Sequence, residues 1–262
     1  MIRAASLAAL AILAGCATVA PPTASPPPGY LSSAQIEPLA AAIRALELST
    51  ETSPAPEPSP DRWWLAIAHA ELRPPFAAQH FDCALGTRLS ARPRPGLTRL
   101  MNRLLSDATA LTRDVARRHA PTARPITLDP SLQPCQRITP AMSAGSAYPA
   151  AGAVAGTLYG EAFAVLAPER AEAVRHIGEA IGDSRAVCRM NSEQDVLAGQ
   201  QGGRSLFATI SRSPEFQADL EVARTEIDAA RAEGLTNPAC AAERRALGPA
   251  GDQLGRGLTS DP

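Results

Sequence analysis

The stretch AAGAVAGTLYGEAFAVLA, residues 150–167, carries small or apolar side chains on nearly every side of a helical turn. A helix at the surface of a globular protein has an apolar stripe on one face and polar side chains on the other, so a helix that is apolar all round is buried. We therefore predict that residues 150–167 form a central helix with other helices packed around it.

Other segments predict the surrounding helices. Residues 97–119 carry apolar side chains at the spacing of one helix face. These are Leu97, Leu100, Met101, Leu104, Leu105, Ala108 and Leu111. Further helices are predicted at residues 32–48, 61–72, 76–89, 168–182, 192–211 and 213–234. Alanine is abundant and aromatic residues make up only 4% of the chain, so the fold class is predicted to be all-α, a helical bundle.

Length and charge limit the classes of function. The chain has 262 residues, of which 45% are hydrophobic, and this suffices for one sizeable core in one domain or at most two. Its 25 basic and 26 acidic residues nearly cancel, so nothing in the overall charge directs the chain to nucleic acid. The 25 prolines are expected in linkers and at helix starts.

The N-terminus resembles a bacterial lipoprotein signal. A basic Met1–Arg3 is followed by an apolar run over residues 4–13 that is too short to span a bilayer. The run ends in Leu-Ala-Gly-Cys at residues 13–16, where such a chain is cut before Cys16 and the thiol is lipidated. A plain secretory signal with a chance cysteine is the alternative. Because Ala17 follows rather than aspartate, a lipid-anchored protein on the periplasmic side of the outer membrane is expected.

The sequence then divides into four parts. Residues 1–15 are the predicted signal peptide, and residues 16–60 are a proline-rich tether with one helix. Residues 61–240 form the predicted domain, and residues 241–262 are the C-terminal tail.

Four further cysteines predict disulfides, because an even count in an exported chain is typical of bridges. They are Cys83, Cys135, Cys188 and Cys240. Metal binding is the alternative, but the chain has no CxxC or HxxxH spacing and its four histidines are scattered. We expect no metal and no cofactor.

Two short patterns lie before and at the start of the central helix. Arg117 is followed after six residues by Arg124-Pro125. Residues 147–152 read Ala-Tyr-Pro-Ala-Ala-Gly. A third pattern follows the next predicted helix.

Ser184-Arg185 is followed after five residues by Asn191 and after three more by Asp195. Together the three patterns resemble the bacterial class A non-specific acid phosphatases of the type 2 phosphatidic acid phosphatase (PAP2) superfamily. That family carries a lysine, six residues and Arg-Pro; then Pro-Ser-Gly-His; then Ser-Arg, five residues, a histidine, three residues and an aspartate. The resemblance covers roughly residues 75–235 and implies an acid-phosphatase-type helical bundle.

The resemblance also implies a mechanism, and this chain lacks its two histidines. In the family the third-motif histidine attacks phosphorus, the aspartate orients that histidine, and the second-motif histidine protonates the leaving alcohol. Here Asn191 stands at the nucleophile's position and Gly152 at the general acid's position, while Asp195 remains. An amide nitrogen is delocalised into its carbonyl and has no usable lone pair, so the covalent route is expected to be lost.

The anion-binding part of the family's site is retained. The resemblance implies that phosphate is bound by Arg117, Arg124, Arg185 and the backbone N–H groups of Ala150 and Ala151. The expected ligand is a phosphate or a phosphomonoester. Each residue also has an ordinary structural interpretation: Ser184 caps a helix, Asp195 is a first-turn acid, and the arginines are solvated or ion-paired.

The remaining histidines are not expected to replace the missing two. His119 lies two residues after Arg117, so on a continuous helix it points elsewhere. His176 lies on the helix before the third motif. Because Cys135 and Cys188 flank motifs that must meet, the resemblance favours a Cys135–Cys188 bridge and leaves Cys83–Cys240 as the second.

Three functions remain open from the sequence. The first is a pseudo-phosphatase that binds a phosphorylated compound without turnover. The second is an active acid phosphatase that hydrolyses phosphomonoesters, and the third is a structural envelope lipoprotein without a ligand.

The lipoprotein interpretation makes the first testable prediction. In the mature protein, mass spectrometry should find Cys16 as the N-terminal residue, carrying acyl chains that retain the protein in the membrane fraction. Cys16→Ser should release it, whereas Cys83→Ser should not. A soluble wild-type product with an unmodified Cys16 would contradict the prediction.

Overall fold

The computed structural model describes residues 26–47 and 57–248, and within them the chain forms helices and no strand. The helices are α1 (Ser33–Arg44), α2 (Pro60–Ala68), α3 (Asp82–Leu85), α4 (Pro95–Arg118), α5 (Pro125–Leu128), α6 (Pro140–Ala144), α7 (Ala151–Leu166), α8 (Ala171–Val187), α9 (Glu193–Ile210), α10 (Pro214–Ala232) and α11 (Cys240–Ala246). Short 3₁₀ helices occupy Phe76–Phe81, Leu89–Ala91 and Pro168–Arg170. The all-α prediction is confirmed.

Helix α7 is the central helix that residues 150–167 predicted. All of its residues are buried except Ala151, Glu161 and Val165, and it packs against α4, α8, α9 and α10. The backbones of α7 and α8 approach so closely that a Cβ on Gly156 would lie 2.7 Å from the carbonyl oxygen of Gly178. A Cβ on Gly178 would in turn lie 2.6 Å from the carbonyl oxygen of Gly156. Only glycine fits at this crossing.

Helix α4 supplies a second wall of the same core. It begins with Pro95, whose fixed φ suits a first helical position, and its apolar stripe is buried against α1, α7 and α10. Leu97, Leu104 and Leu111 are each no more than 1% exposed, which confirms the face predicted from their spacing.

The helix predicted inside the tether is part of the bundle. Ile36, Ala40 and Ile43 of α1 are buried in the main hydrophobic core. The segment before α1 is held by α4, because Asp107 Oδ2 accepts the N–H of Tyr30 at 2.8 Å. The signal peptide, Cys16 and residues 48–56 lie outside the described residues.

Helix α11 crosses the predicted boundary between domain and tail and packs against α2.

The structure brings the sulfurs of Cys83 and Cys240 to 2.04 Å and those of Cys135 and Cys188 to 2.16 Å. These are the two pairings that the resemblance favoured. Residues 249–262 lie outside the described residues. Among the described helices, none combines the length and the apolar character needed to cross a membrane.

Several predicted helices have different bounds in the structure, and α1 and α2 end at Arg44 and Ala68, before the predicted residues 48 and 72. Residues 76–89 form a 3₁₀ turn and the short α3, which Gly86 ends with the left-handed φ of 69° that glycine adopts at little cost. Helix α8 does not end at residue 182 but continues to Val187, so Ser184 and Arg185 lie inside its last turns. Ser184 is therefore not a cap residue.

The two cysteine pairs make a testable prediction. Peptide mapping of oxidised protein without reduction should recover Cys83 with Cys240 and Cys135 with Cys188. The Cys83→Ala/Cys240→Ala variant should lose about 2–4 kcal/mol of unfolding free energy, because the bridge constrains a long loop of the unfolded chain. Free thiols or crossed pairs in the wild-type map would contradict the prediction.

Candidate anion-binding site

The start of α7, the end of α8 and the start of α9 meet at one place. The backbone N–H of Ala150, just before α7, donates to the carbonyl oxygen of Asp195 at 2.9 Å. Asn191, between α8 and α9, donates its side-chain N–H to the carbonyl oxygen of Ala147 at 2.7 Å. The structure thus brings the second and third sequence patterns into direct contact.

Asn191 is held through its amide nitrogen, which donates to two acceptors. It is 3% exposed, and its Nδ2 is engaged by Ala147. Its side chain also hydrogen-bonds Asp195, where it contributes to lowering the carboxyl pKa. The amide at the family's nucleophile position therefore joins two structural elements.

Asp195 has the capping role that its place in the first turn of α9 suggested. Its Oδ2 accepts the N–H of Ser192 at 2.8 Å, and its own N–H donates to Ser192 Oγ at 3.1 Å. Burial raises the pKa of Asp195, and the hydrogen bonds with Ser192, the charge of Arg124 and the Asn191 contact only partly oppose this. Asp195 is thus the carboxyl group whose charge acts on Arg124.

Arg185 lies in the last turn of α8, and its side chain covers the start of α7. A Cβ on Gly152 would lie 2.6 Å from Arg185 Cδ, so the arginine occupies the space that a side chain at position 152 would need. Its Nη1 donates to Gln136 Oε1 at 3.2 Å, which is a neutral acceptor. Burial and, second, the nearby charge of Arg124 together lower the pKa of Arg185 to about 10. Within residues 26–47 and 57–248, no carboxylate lies within ion-pair distance of Arg185.

Arg124 is fixed by three backbone carbonyls. Its Nε donates to Met142 at 2.9 Å, its Nη1 to Met190 at 3.0 Å and its Nη2 to Ser146 at 3.1 Å. Burial lowers the pKa of Arg124, while the Asp195 carboxylate opposes that shift. A guanidinium has five N–H groups, so two remain for another acceptor.

The first backbone N–H groups of α7 face the same junction. The N-cap residue Ala150 has no side-chain oxygen, so no side chain caps this helix. The N–H of Ala150 is engaged by Asp195, and those of Ala151 and Gly152 precede the first intrahelical bond. The partial positive charge of a helix N-terminus adds to that of the two arginines.

Arg117 and His119 lie at the end of α4. Arg117 is exposed over 58% of its side chain and donates to Asp114 Oδ2 at 2.7 Å, so it has the ion-paired structural role that the sequence left open. The helix ends at Arg118, and His119 is extended, contrary to the continuous helix that we predicted. Its ring stacks on Tyr148 at 4.5 Å between centroids, beside the second sequence pattern.

The sequence did not indicate a buried cluster behind α8. Ser184 Oγ accepts from Arg62 Nη1 at 2.8 Å, lies 2.8 Å from His69 Nδ1 and donates to the carbonyl oxygen of Ala180. Because the one serine proton goes to Ala180, His69 Nδ1 is the donor in that pair. Burial lowers the pKa of His69 well below its usual range, so its ring is neutral. The cluster fixes α8 one residue before Arg185.

The phosphate-binding roles of Arg117, Arg124, Arg185, Ala150 and Ala151 stay predictions. Of these, Arg124, Arg185 and the first turn of α7 share the junction through the contacts above. Across the described residues, no three His, Cys, Asp or Glu side chains are grouped closely enough to hold a metal ion.

Comparison with known proteins supports a distant relationship. No protein-family model matches the chain. It is 25% identical over 169 residues to the non-specific acid phosphatase of Salmonella typhimurium, a region that covers 64% of this chain and 67% of that protein. It is 26% identical over 181 residues to the acid phosphatase of Zymomonas mobilis, covering 67% and 66%. The non-specific acid phosphatase of Providencia stuartii is 24% identical over 161 residues, covering 62% and 65%.

The aligned region therefore spans about two thirds of each of these relatives. The all-α fold and the order of the three sequence patterns agree with these matches. The chain is distantly similar to these bacterial acid phosphatases.

Proposed function

We propose that this chain is a catalytically impaired acid-phosphatase homologue that binds phosphate or a phosphomonoester at Arg124 and Arg185. The proposal includes a lipid anchor at Cys16 that holds the protein on the periplasmic side of the outer membrane. Binding and loss of turnover rest on different residues.

The observation that carries the binding proposal is the uncompensated charge at Arg185. Its guanidinium is largely buried, its acceptor is the neutral amide of Gln136, and a second guanidinium, that of Arg124, lies nearby. Asp195 offsets only one of the two charges. A buried group of net positive charge is stabilised by an anion, and arginine suits the oxygens of a phosphate.

The helix N-terminus strengthens the same preference. The N–H groups of Ala151 and Gly152 begin the 16-residue α7, and no side chain caps them. Backbone N–H groups at such a position bind phosphate oxygens in many folds. The two arginines and the start of α7 thus offer donors of the kind that bind phosphate oxygens.

The loss of turnover rests on Asn191 and Gly152. Asn191 cannot attack phosphorus, and its amide is engaged by Ala147. Gly152 has no acid to donate, and Arg185 lies where one would stand. A missing general acid alone costs about 10²–10⁴ in rate, and a missing nucleophile removes the covalent intermediate.

An active phosphatase is the second candidate, and His119 is the observation in its favour. Its ring stacks on Tyr148 of the second pattern, and its Nδ1 lies 2.7 Å from the carbonyl oxygen of Ala120. Since a carbonyl only accepts, Nδ1 is the donor, and in the neutral form of the ring Nε2 has the lone pair. His119 would be the nucleophile or acid if the protein hydrolysed phosphomonoesters.

Binding is tested by calorimetric titration with inorganic phosphate and with vanadate. Wild-type protein should bind both, and Arg185→Gln should weaken binding by about tenfold or more, because a hydrogen bond to a charged group is lost. Arg117→Gln is the matched control, since Arg117 is exposed and paired with Asp114, and it should change affinity less than about twofold.

Two results would contradict the binding proposal. If Arg117→Gln and Arg185→Gln lowered the affinity for phosphate equally, the site would include the end of α4. No binding by wild-type protein would leave the structural lipoprotein as the remaining function.

Turnover is tested by phosphomonoester hydrolysis at mildly acidic pH with acid-quench trapping of phosphoprotein. Wild-type protein should show neither turnover nor trapped phosphoprotein. Asn191→His combined with Gly152→His should gain activity well below that of an intact acid phosphatase, because a side chain at position 152 displaces Arg185. Each single variant should gain much less, since nucleophile and acid act together.

His119→Ala decides between the two candidates if the wild type proves active. His176→Ala, an exposed histidine on α8, is its control. The pseudo-phosphatase proposal would be overturned if the wild-type protein showed robust turnover, His119→Ala abolished that turnover and His176→Ala kept it.

A further inference from the structure

A cavity of about 580 Å³ lies between α2, the 3₁₀ turn Phe76–Phe81 and α11. None of the residues of the anion-binding site lines it. Its size is in the range of sites that hold small organic molecules. The cavity is therefore a separate candidate binding site, and its lining determines what it can hold.

Two exposed aromatic rings form part of its wall. Trp64 of α2 is 68% exposed and Phe76 is 58% exposed, in a chain where aromatic residues are only 4% of the total. Neither ring stacks on another aromatic ring among residues 26–47 and 57–248. Their faces carry the negative side of the ring quadrupole, which attracts cations.

The charged side chains that line the cavity are all acidic. They are Asp61, Glu71 and Glu243, and neither lysine nor arginine is among the lining residues. Burial lowers the pKa of His80, so that ring adds no positive charge at neutral pH.

The three carboxylates differ in their partners. Asp61 Oδ2 accepts from Arg245 at 2.8 Å, and Glu71 Oε1 accepts from Arg73 at 2.9 Å, so both are compensated. Glu243 is half-buried and has no side-chain hydrogen bond or ion pair within the part of the chain that the structure describes. Burial and, second, the charge of Asp82 raise the pKa of Glu243 to about 7, and the charge of the neighbouring Arg244 only partly opposes this. A cation in the cavity would supply the counter-charge that Glu243 lacks.

We propose that this cavity binds an organic cation, an alkylammonium group on an apolar body, between Trp64, Phe76 and the carboxylate of Glu243. The rings cover the apolar part and the alkyl groups around nitrogen, while Glu243 neutralises the charge. The ligand is opposite in charge to the one proposed at Arg185, and the two sites are independent.

The test compares choline with 3,3-dimethylbutan-1-ol, which has the same shape without the charge. Calorimetric titration of the mature protein at pH 8, where Glu243 is ionised, should detect choline binding. The neutral alcohol should bind at least about tenfold more weakly, because it gains neither the cation–π contact nor the ion pair. Equal binding of the two compounds, or no choline binding, would overturn the proposal.

Variants then locate the site. Trp64→Ala and Glu243→Gln should each weaken choline binding by at least about fivefold, whereas Trp64→Phe should retain most of it. Glu221→Gln is the matched control, because Glu221 is an exposed carboxylate of α10 away from the cavity. Arg185→Gln should leave choline binding unchanged. The proposal would be refuted if Trp64→Ala and Glu243→Gln both bound choline with wild-type affinity and kept the helical circular dichroism of the wild type. Choline would then bind elsewhere.

Discussion

The close crossing of α7 and α8 at Gly156 and Gly178 is the contact on which the rest of the structure depends. A Cβ on either glycine would lie under 3 Å from a carbonyl oxygen of the other helix, so any larger residue would push the helices apart. Helix α9 meets α7 in the same way, because a Cβ on Gly199 would lie 2.5 Å from the carbonyl oxygen of Ala150. These backbone contacts set the distance from the first turn of α7 to Arg185 and Asp195.

The candidate site follows from that packing. Since α8 lies against α7, the side chain of Arg185 must run across the start of α7, and the missing side chain of Gly152 leaves room for it. Asn191 then joins the α8–α9 connection to Ala147 through one hydrogen bond. Gly152 and Asn191 stand where the family has its two histidines, and they serve packing and hydrogen bonding instead. The positive charges of Arg124 and Arg185 remain at the site. This combination is the physical basis for proposing binding without turnover.

The long helices were predictable from the sequence because the apolar side chains of each one mark, along its whole length, the faces that are buried. Residues 150–167 are apolar all round and 97–119 have one continuous stripe, and both became helices within two residues of the predicted ends. The end of α8 was not predictable, because Gly182, Asp183 and Ser184 are residues that usually end or cap a helix. In the structure, Ser184 is instead hydrogen-bonded by Arg62 of α2 and by His69, the residue that follows α2. No sequence spacing links residues more than a hundred positions apart, so this cluster required the tertiary structure.

The most direct test of the account is a crystal structure of the protein with orthovanadate. We expect vanadium at the junction of α7, α8 and α9, with its oxygens bound by Arg124, Arg185 and the N–H groups of Ala151 and Gly152, and with no side chain bonded to vanadium. A vanadate covalently attached to a histidine nitrogen would contradict the pseudo-phosphatase, because it would reveal a nucleophile that the account excludes.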